Sequence, residues 1–284
     1  MDDPPTSAIG RRLALMPPPA LAGIVRYFHV EWDSAGPAIV PASPYPMATF
    51  FAAGGSLVPS TGGRLALFRE PMLCGPVTAA MPVLWQQNTS FISALIEPAS
   101  FATLFGMSPG ALRDTPVALA DAEPCVPARA LAEAVAGTRD IARWVGALQS
   151  WLLQVLARRG GRAAPFVLPA ALLDLPAPEI ARRYGIGERQ LERRFQASYG
   201  QSMRAMRQML RYTRALGMLM HLPPRPGLLT RVAMDAGYHD QAHMIRDFTA
   251  YTGRPPGAWY ADGDDRLHRM YRYDTPHRAI VTRA

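Results

Sequence analysis

Two histidines four residues apart, with an acid beside the first, make up HDQAH at 239–243. On a helix that spacing puts both imidazoles on one face, where they suit zinc, and the acid is placed as a general base. The surrounding residues argue against that geometry. Asp240 is a helix-capping residue type, and the apolar period begins after it, at Met244 and Phe248. His239 therefore falls in a turn ahead of the helix, and helical spacing does not apply to the pair. A zinc site also needs a third ligand, and the nearest candidate, Asp247, shares the helix with His243. No metal and no catalytic residue is expected here.

The first half offers little other chemistry. Residues 1–162 hold one histidine, His29, in HVE at 29–31. A metal site would need two or three histidines and a carboxylate, and a Ser-His-Asp triad would have to use this same strand residue. Cys74 and Cys125 are the only cysteines. They form no disulfide framework and no four-cysteine zinc site, and read as buried thiols. No enzyme and no cofactor is expected. Trp32, Tyr45, Phe50, Phe51, Trp85 and Phe91 are either plain core or the lining of a small-molecule pocket, with core favoured because so many sit on strands.

Charge points elsewhere. All 30 basic residues are Arg, and the formal net charge is +8. Residues 1–162 carry 12 Arg against 11 acids, whereas 163–284 carry 18 against 11. A basic half joined to a near-neutral half suggests a polyanion-binding module, and the planar Arg fork suits phosphates and guanine edges. Genome base composition is a rival cause of the all-Arg usage. No run approaches the roughly 18 apolar residues of a membrane helix. Arg11-Arg12 and LALM run into Pro17-Pro18-Pro19, too short for an export signal. The arginine pair reads as a solvated segment, and the protein as cytoplasmic.

Short β-branched and aromatic runs fill the chain to about Ile96: Val25 to Trp32, Ala38 to Val40, Met47 to Phe51, Ser56 to Val58, Leu65 to Phe68, Val83 to Trp85 and Phe91 to Ile96. Gly, Pro, Ser and Asn punctuate them, which suggests a barrel or sandwich. FATLF, closed by Gly106, reads as a short helix. Arg129 to Arg159 reads as one or two helices interrupted near Gly137-Thr138. Their apolar face fits either a second copy or the chain's own sheet. RRGGRAAP at 158–165 is the linker candidate.

The second half is helical and repeats itself. IARRYGI at 180–186 aligns with VAMDAGY at 232–238, matching Ala181 to Ala233 and Gly185 to Gly237. RRFQASYG at 193–200 aligns with RDFTAYTG at 246–253, with one extra residue in the second turn. Each unit reads as helix, glycine turn, helix, which is the helix-turn-helix layout. Leu191 and Phe195 in the first unit, and Met244 and Phe248 in the second, are spaced to share a buried face. The opposite faces present Arg189, Glu192, Arg193 and Gln196, then Gln241, Ala242, His243, Ile245 and Arg246. Helices in those positions read base edges in the major groove. His243 is then a groove-facing residue or a solvated one, and its position favours the groove.

The region from about Ala171 to Tyr260 resembles the DNA-binding domain of AraC-type transcription factors. IARRYGIGERQLERRF, RYTRALGML and VAMDAGYHDQAHMIRDFTAYTGRPPGAWY carry the likeness. The resemblance implies two helix-turn-helix units joined by one helix, with recognition helices in successive major grooves. It places base contacts on the nine exposed residues named above. Gly187 stands where the family usually has a capping Ser, and Met244 where Phe is more usual. PALAGIVRYFHVEW and the passage from Ile96 through FATLFGMSPGALRD resemble the N-terminal domain of some such regulators, a β-rich sensor and dimerisation unit.

The expectation is an α+β chain of two domains. A β-rich domain with helices after it spans 1–157, a linker 158–165, an all-α DNA-binding domain 166–260, and a charged tail 261–284. The partners expected are double-stranded DNA, a small-molecule effector in the N-terminal domain, a second copy in a homodimer, and RNA polymerase if the protein activates. The alternative is a small-molecule-binding or adaptor protein with weak or lost DNA binding, for which Gly187 is the only support.

Overall fold

The computed structural model describes residues 10–59, 64–122, 126–159 and 166–258. Cys125, most of the linker candidate, Tyr260 and the tail 261–284 lie outside them. The N-terminal part is one curled, eight-stranded antiparallel sheet: β1 (Arg11–Leu15), β2 (Val25–Val40), β3 (Met47–Ala53), β4 (Ser56–Pro59), β5 (Leu65–Phe68), β6 (Met72–Cys74), β7 (Met81–Ile96) and β8 (Val117–Ala118). The order is β1-β2-β7-β3-β6-β8, and the β4-β5 hairpin also pairs with β7.

Two expected breaks are bulges. Val25 to Trp32 and Ala38 to Val40 belong to one 16-residue strand, as do Val83 to Trp85 and Phe91 to Ile96. Asp33 (φ 60°), Gly36 (φ 80°) and Asn88 (φ 57°) are turn-type residues in the left-handed region. In β2 the register shifts at this point, and the strand bends without ending. The Arg11-Arg12 segment, read from sequence as solvated, is strand β1. Arg12 is buried at 8% exposure, because β1 pairs with β2 and sets Arg12 opposite Glu31.

Strand alternation divides the sheet into two unlike faces. Phe28, Val30, Ala48, Phe50, Ile92 and Ala94 point to one side. They are covered by α1 (Pro98–Phe105), α2 (Arg129–Val135) and α3 (Ile141–Arg159). Trp144, Leu148, Trp151, Leu152 and Val155 of α3 pack into that layer, with Trp151 edge-on to Phe50. The helical face left open by the sequence between a second copy and the sheet therefore covers the sheet. The other side carries His29, Glu31, Thr49 and Ser93 among apolar neighbours, and it is taken up below.

The C-terminal part holds α4 (Ala177–Arg183), α5 (Glu188–Tyr199), α6 (Met203–His221), α7 (Leu228–Asp235) and α8 (Gln241–Thr252). The repeat is real in space. Gly185 (φ 62°) and Gly237 (φ 86°) turn the chain between the paired helices, and Gly200 (φ 71°) and Gly253 (φ 78°) end α5 and α8. Each unit has its own core. Ile180, Ala181, Leu191 and Phe195 form one with Met203, Met206 and Leu210 of α6. Val232, Ala233, Met244 and Phe248 form the other with Tyr212, Leu216 and Leu219 of α6. Helix α6 thus belongs to both.

The two parts of the chain meet at the ends of the second helices. Ser108 Oγ donates to Ala197 O (3.1 Å), and the Arg113 guanidinium donates to Gly200 O. At the other unit Ala42 N–H donates to Tyr251 O (2.9 Å) and Ala80 N–H to Ala250 O (3.0 Å). A Cβ on Gly200 would lie 2.5 Å from Gly110 N, whereas one on Gly185 would meet nothing within 4 Å. Gly185→Ala should therefore cost only the left-handed penalty, about 1–2 kcal/mol. Gly200→Ala should lower the urea midpoint further and loosen the seam, seen as faster amide exchange in 108–113. Equal losses would show that the Gly110–Gly200 contact contributes nothing.

Candidate nucleic-acid interface

Helix α5 is amphipathic because Leu191, Phe195 and Tyr199 turn inward at helical spacing. Arg189, Arg193 and Gln196 are exposed on the opposite side. Together with Glu192, Ser108 and Ala197 they line a shallow open groove. Glu192 is only half-buried there, and its Oε1 accepts from Met203 N–H at 3.3 Å. It secures the start of α6, which limits its reach toward a base. Gly187 precedes α5 without a side-chain cap, whereas Ser202 caps α6.

In the second unit Asp240 is the N-cap of α8, accepting from His243 N–H at 2.6 Å. His239 precedes that cap and is nearly fully exposed. The two histidines of HDQAH are thus on different elements. The opening pattern spans the cap and first turn of α8, and His243 faces Asp247 (3.7 Å) one turn on. Asp247 is buried and accepts from Gln208 Nε2 of α6 at 2.8 Å, while Tyr238 sits edge-on to His243. Ala242 and Arg246 are exposed, and Gln241, His243 and Ile245 are half-exposed. Gln241 Oε1 accepts from the Thr230 hydroxyl (2.7 Å), which holds α8 against α7.

Both helices are held by their C-terminal ends and present their N-terminal turns outward, the ends that enter a groove in helix-turn-helix docking. Part of the Arg surplus has other work. Arg207 donates to Leu173 O and Leu175 O (2.6 and 2.5 Å), Arg214 pairs with Asp174 (3.0 Å), and Arg211 lies over Tyr238.

A second feature, which the sequence offered only as the alternative to plain core, is a cavity of about 250 Å³ on the sheet face away from α1–α3. Tyr45, Trp85 and Phe91 of the pocket candidates line it. Phe50 points to the opposite face, and Phe51 and Trp32 pack in the cores. HVE, too small a set for a metal site, gains a partner from β1: Arg12 Nε lies 2.9 Å from Glu31, with His29 Nε2 at 3.2 Å and the Ser34 hydroxyl donating to the same carboxylate. The signal was present, since alternation puts His29 and Glu31 opposite Phe28 and Val30.

Burial pushes Glu31 up, but the Arg12 charge and the His29 and Ser34 hydrogen bonds outweigh it and hold the carboxyl at about 2. Burial holds His29 below its ordinary value, against the pull of Glu31. Both groups bind protons more readily unfolded, so the stability they add is present above the ordinary histidine range. It is lost as pH falls, first through that range and then from the ordinary 4.5 of Glu31 toward about 2. Urea midpoints taken from about pH 7 to about pH 3 should fall, and fall less steeply in Glu31→Gln. A parallel profile in that variant would remove Glu31 as a cause.

Residues 180–262 match a protein family described as "Helix-turn-helix domain". No curated protein matches the chain. Among solved structures, ToxT from Vibrio cholerae is similar at 10% identity, covering 82% of this chain and 97% of that one, with a TM-score of 0.43. ToxT bound to (E)-4-(8-methylnaphthalen-1-yl)but-3-enoic acid gives 11% identity, 89% and 98% coverage and 0.44. The AraC-like transcriptional activator CuxR gives 14%, 69% and 84%, and 0.28.

Proposed function

Residues 180–262 are an AraC-type helix-turn-helix domain, and from that premise we propose that the chain is a sequence-specific transcription regulator whose α5 and α8 read successive major grooves of double-stranded DNA. The single observation that carries this is the pair of outward helix faces, with Arg189, Arg193 and Gln196 exposed on α5 and Gln241, His243 and Arg246 at least half-exposed on α8, each helix held at its far end. Arg189, Arg193 and Gln196 on α5, and Gln241, Ala242, His243, Ile245 and Arg246 on α8, are the base-facing set. Glu192 acts as a positioning residue through Met203. Backbone anchoring comes from arginines and helix N-termini, and sequence reading from the exposed side chains. The sheet domain takes a small-molecule effector in its cavity. Among the described residues no helix is long and apolar enough to cross a membrane.

Selection of genomic fragments by the purified protein at about 150 mM salt should recover a motif with two contacted segments about one helical turn apart. Recovery of random fragments by folded protein would reduce the basic half to a generic polyanion binder. Arg193→Ala and Arg246→Ala should each cost about 1–3 kcal/mol of specific binding. Equal losses on specific and random DNA would refute base reading at those positions. Glu192→Ala should lower the melting temperature as well as affinity, whereas Arg189→Ala should change affinity alone.

A further inference from the structure

The cavity is enclosed by two different things. Its floor is the sheet, where register sets His29 beside Ser93 and Ser93 beside Thr49 in one row, with the Arg12–Glu31 pair next to it. Its roof is α6, through Leu210, Leu216 and Met220. Leu210 also belongs to the core of the first helix-turn-helix unit, and Leu216 to that of the second. Two side chains of α6 that meet the cavity therefore also belong to the cores of the two units.

A sheet face needed only for stability would be apolar, since a buried ion pair is commonly no better than well-packed aliphatic groups. This polar row fits an occupant, and three properties define it. An engineered cavity of about 150 Å³ holds benzene, so the larger volume here suits one ring or a fused pair. Arg12 has Glu31 at 2.9 Å and Arg26 has Glu97 at 3.8 Å, so each cation lining the cavity faces a carboxylate, and a charged guest would be buried without compensation. The Ser93 and Thr49 hydroxyls lie 2.8 Å apart, and the Trp85 indole N–H is buried without an acceptor among the described residues. The wall thus offers donors to a carbonyl or hydroxyl.

We propose that the cavity binds an uncharged one- or two-ring compound bearing a carbonyl or hydroxyl, held between the polar row and α6, and that α6 transmits its presence to both recognition helices. The second half rests on the regulator reading, and the first does not. The test is calorimetric titration of the full chain with matched pairs: coumarin against coumarin-3-carboxylate, acetophenone against 4-acetylbenzoate, and 2-naphthol against 6-hydroxy-2-naphthoate. At least one uncharged member should bind one-to-one with a Kd near or below about 100 µM, and its carboxylate about tenfold more weakly. Ser93→Ala should weaken that binding about fivefold without lowering the melting temperature, and Met220→Trp, which fills the roof, should abolish it. The bound compound should shift affinity for the selected DNA about threefold in the parent chain, and in Ser93→Ala only at about fivefold higher compound concentration. No binding by any member to protein that folds, or carboxylates binding equally well, or an unchanged Ser93→Ala, overturns the assigned occupant. Binding without a shift in DNA affinity overturns the role of α6. Binding by a chain that selects no DNA motif overturns the regulator reading and leaves the site standing.

Discussion

The arrangement depends on four hydrogen bonds between the sheet domain and the ends of α5 and α8. Three of the four acceptors are carbonyls in the last turns of those helices, and the fourth is Gly200 O, just past the end of α5. Such carbonyls have no partner inside their own helix, so an outside donor satisfies them where water otherwise would. Ser108 and Arg113 supply donors to one unit, and the N–H groups of Ala42 and Ala80 supply them to the other. Because the contacts sit at the C-terminal ends, the N-terminal turns stay exposed. The glycines that end the helices permit the close approach, and at Gly200 a methyl group would collide with backbone.

With its ends fixed, the helical part has one element left to share. Helix α6 gives Met206 and Leu210 to one core and Leu216 and Leu219 to the other, and rests across the open face of the sheet. Packed interiors resist compression, so a displacement of α6 is felt in both units. Its arginines add to this. Arg207 and Arg214 tie it to the segment before α4, and Arg211 stacks on Tyr238, so a residue type that reads as DNA-binding by composition serves the domain's own architecture.

The sheet shows the same principle in reverse. One face is a conventional apolar layer under α1–α3. The other keeps a buried ion pair, a histidine and two hydroxyls, all mutually hydrogen-bonded or facing the cavity. Glu31 remains a carboxylate there because Arg12, His29 and Ser34 surround it. The two faces come from the same strands, and alternate residues belong to different environments.

Much of the helical half was legible in the sequence, for a local reason. Gly185, Gly237 and Asp240 act on the backbone within a few residues of themselves, and the spacing of Leu191 to Phe195 or Met244 to Phe248 is a property of one helix. The same locality settled HDQAH, since a cap at Asp240 already separates the two histidines. Strand existence in the first half was legible too, but continuity was not: Asp33, Gly36 and Asn88 look like turns, and only pairing with a neighbouring strand makes them bulges. Arg12 meeting Glu31, Glu192 reaching Met203, and α6 closing the cavity each join residues from separate elements. Nothing in their local sequence encodes such meetings. Pairing register and helix packing decided them, and these exist only once the whole chain has folded.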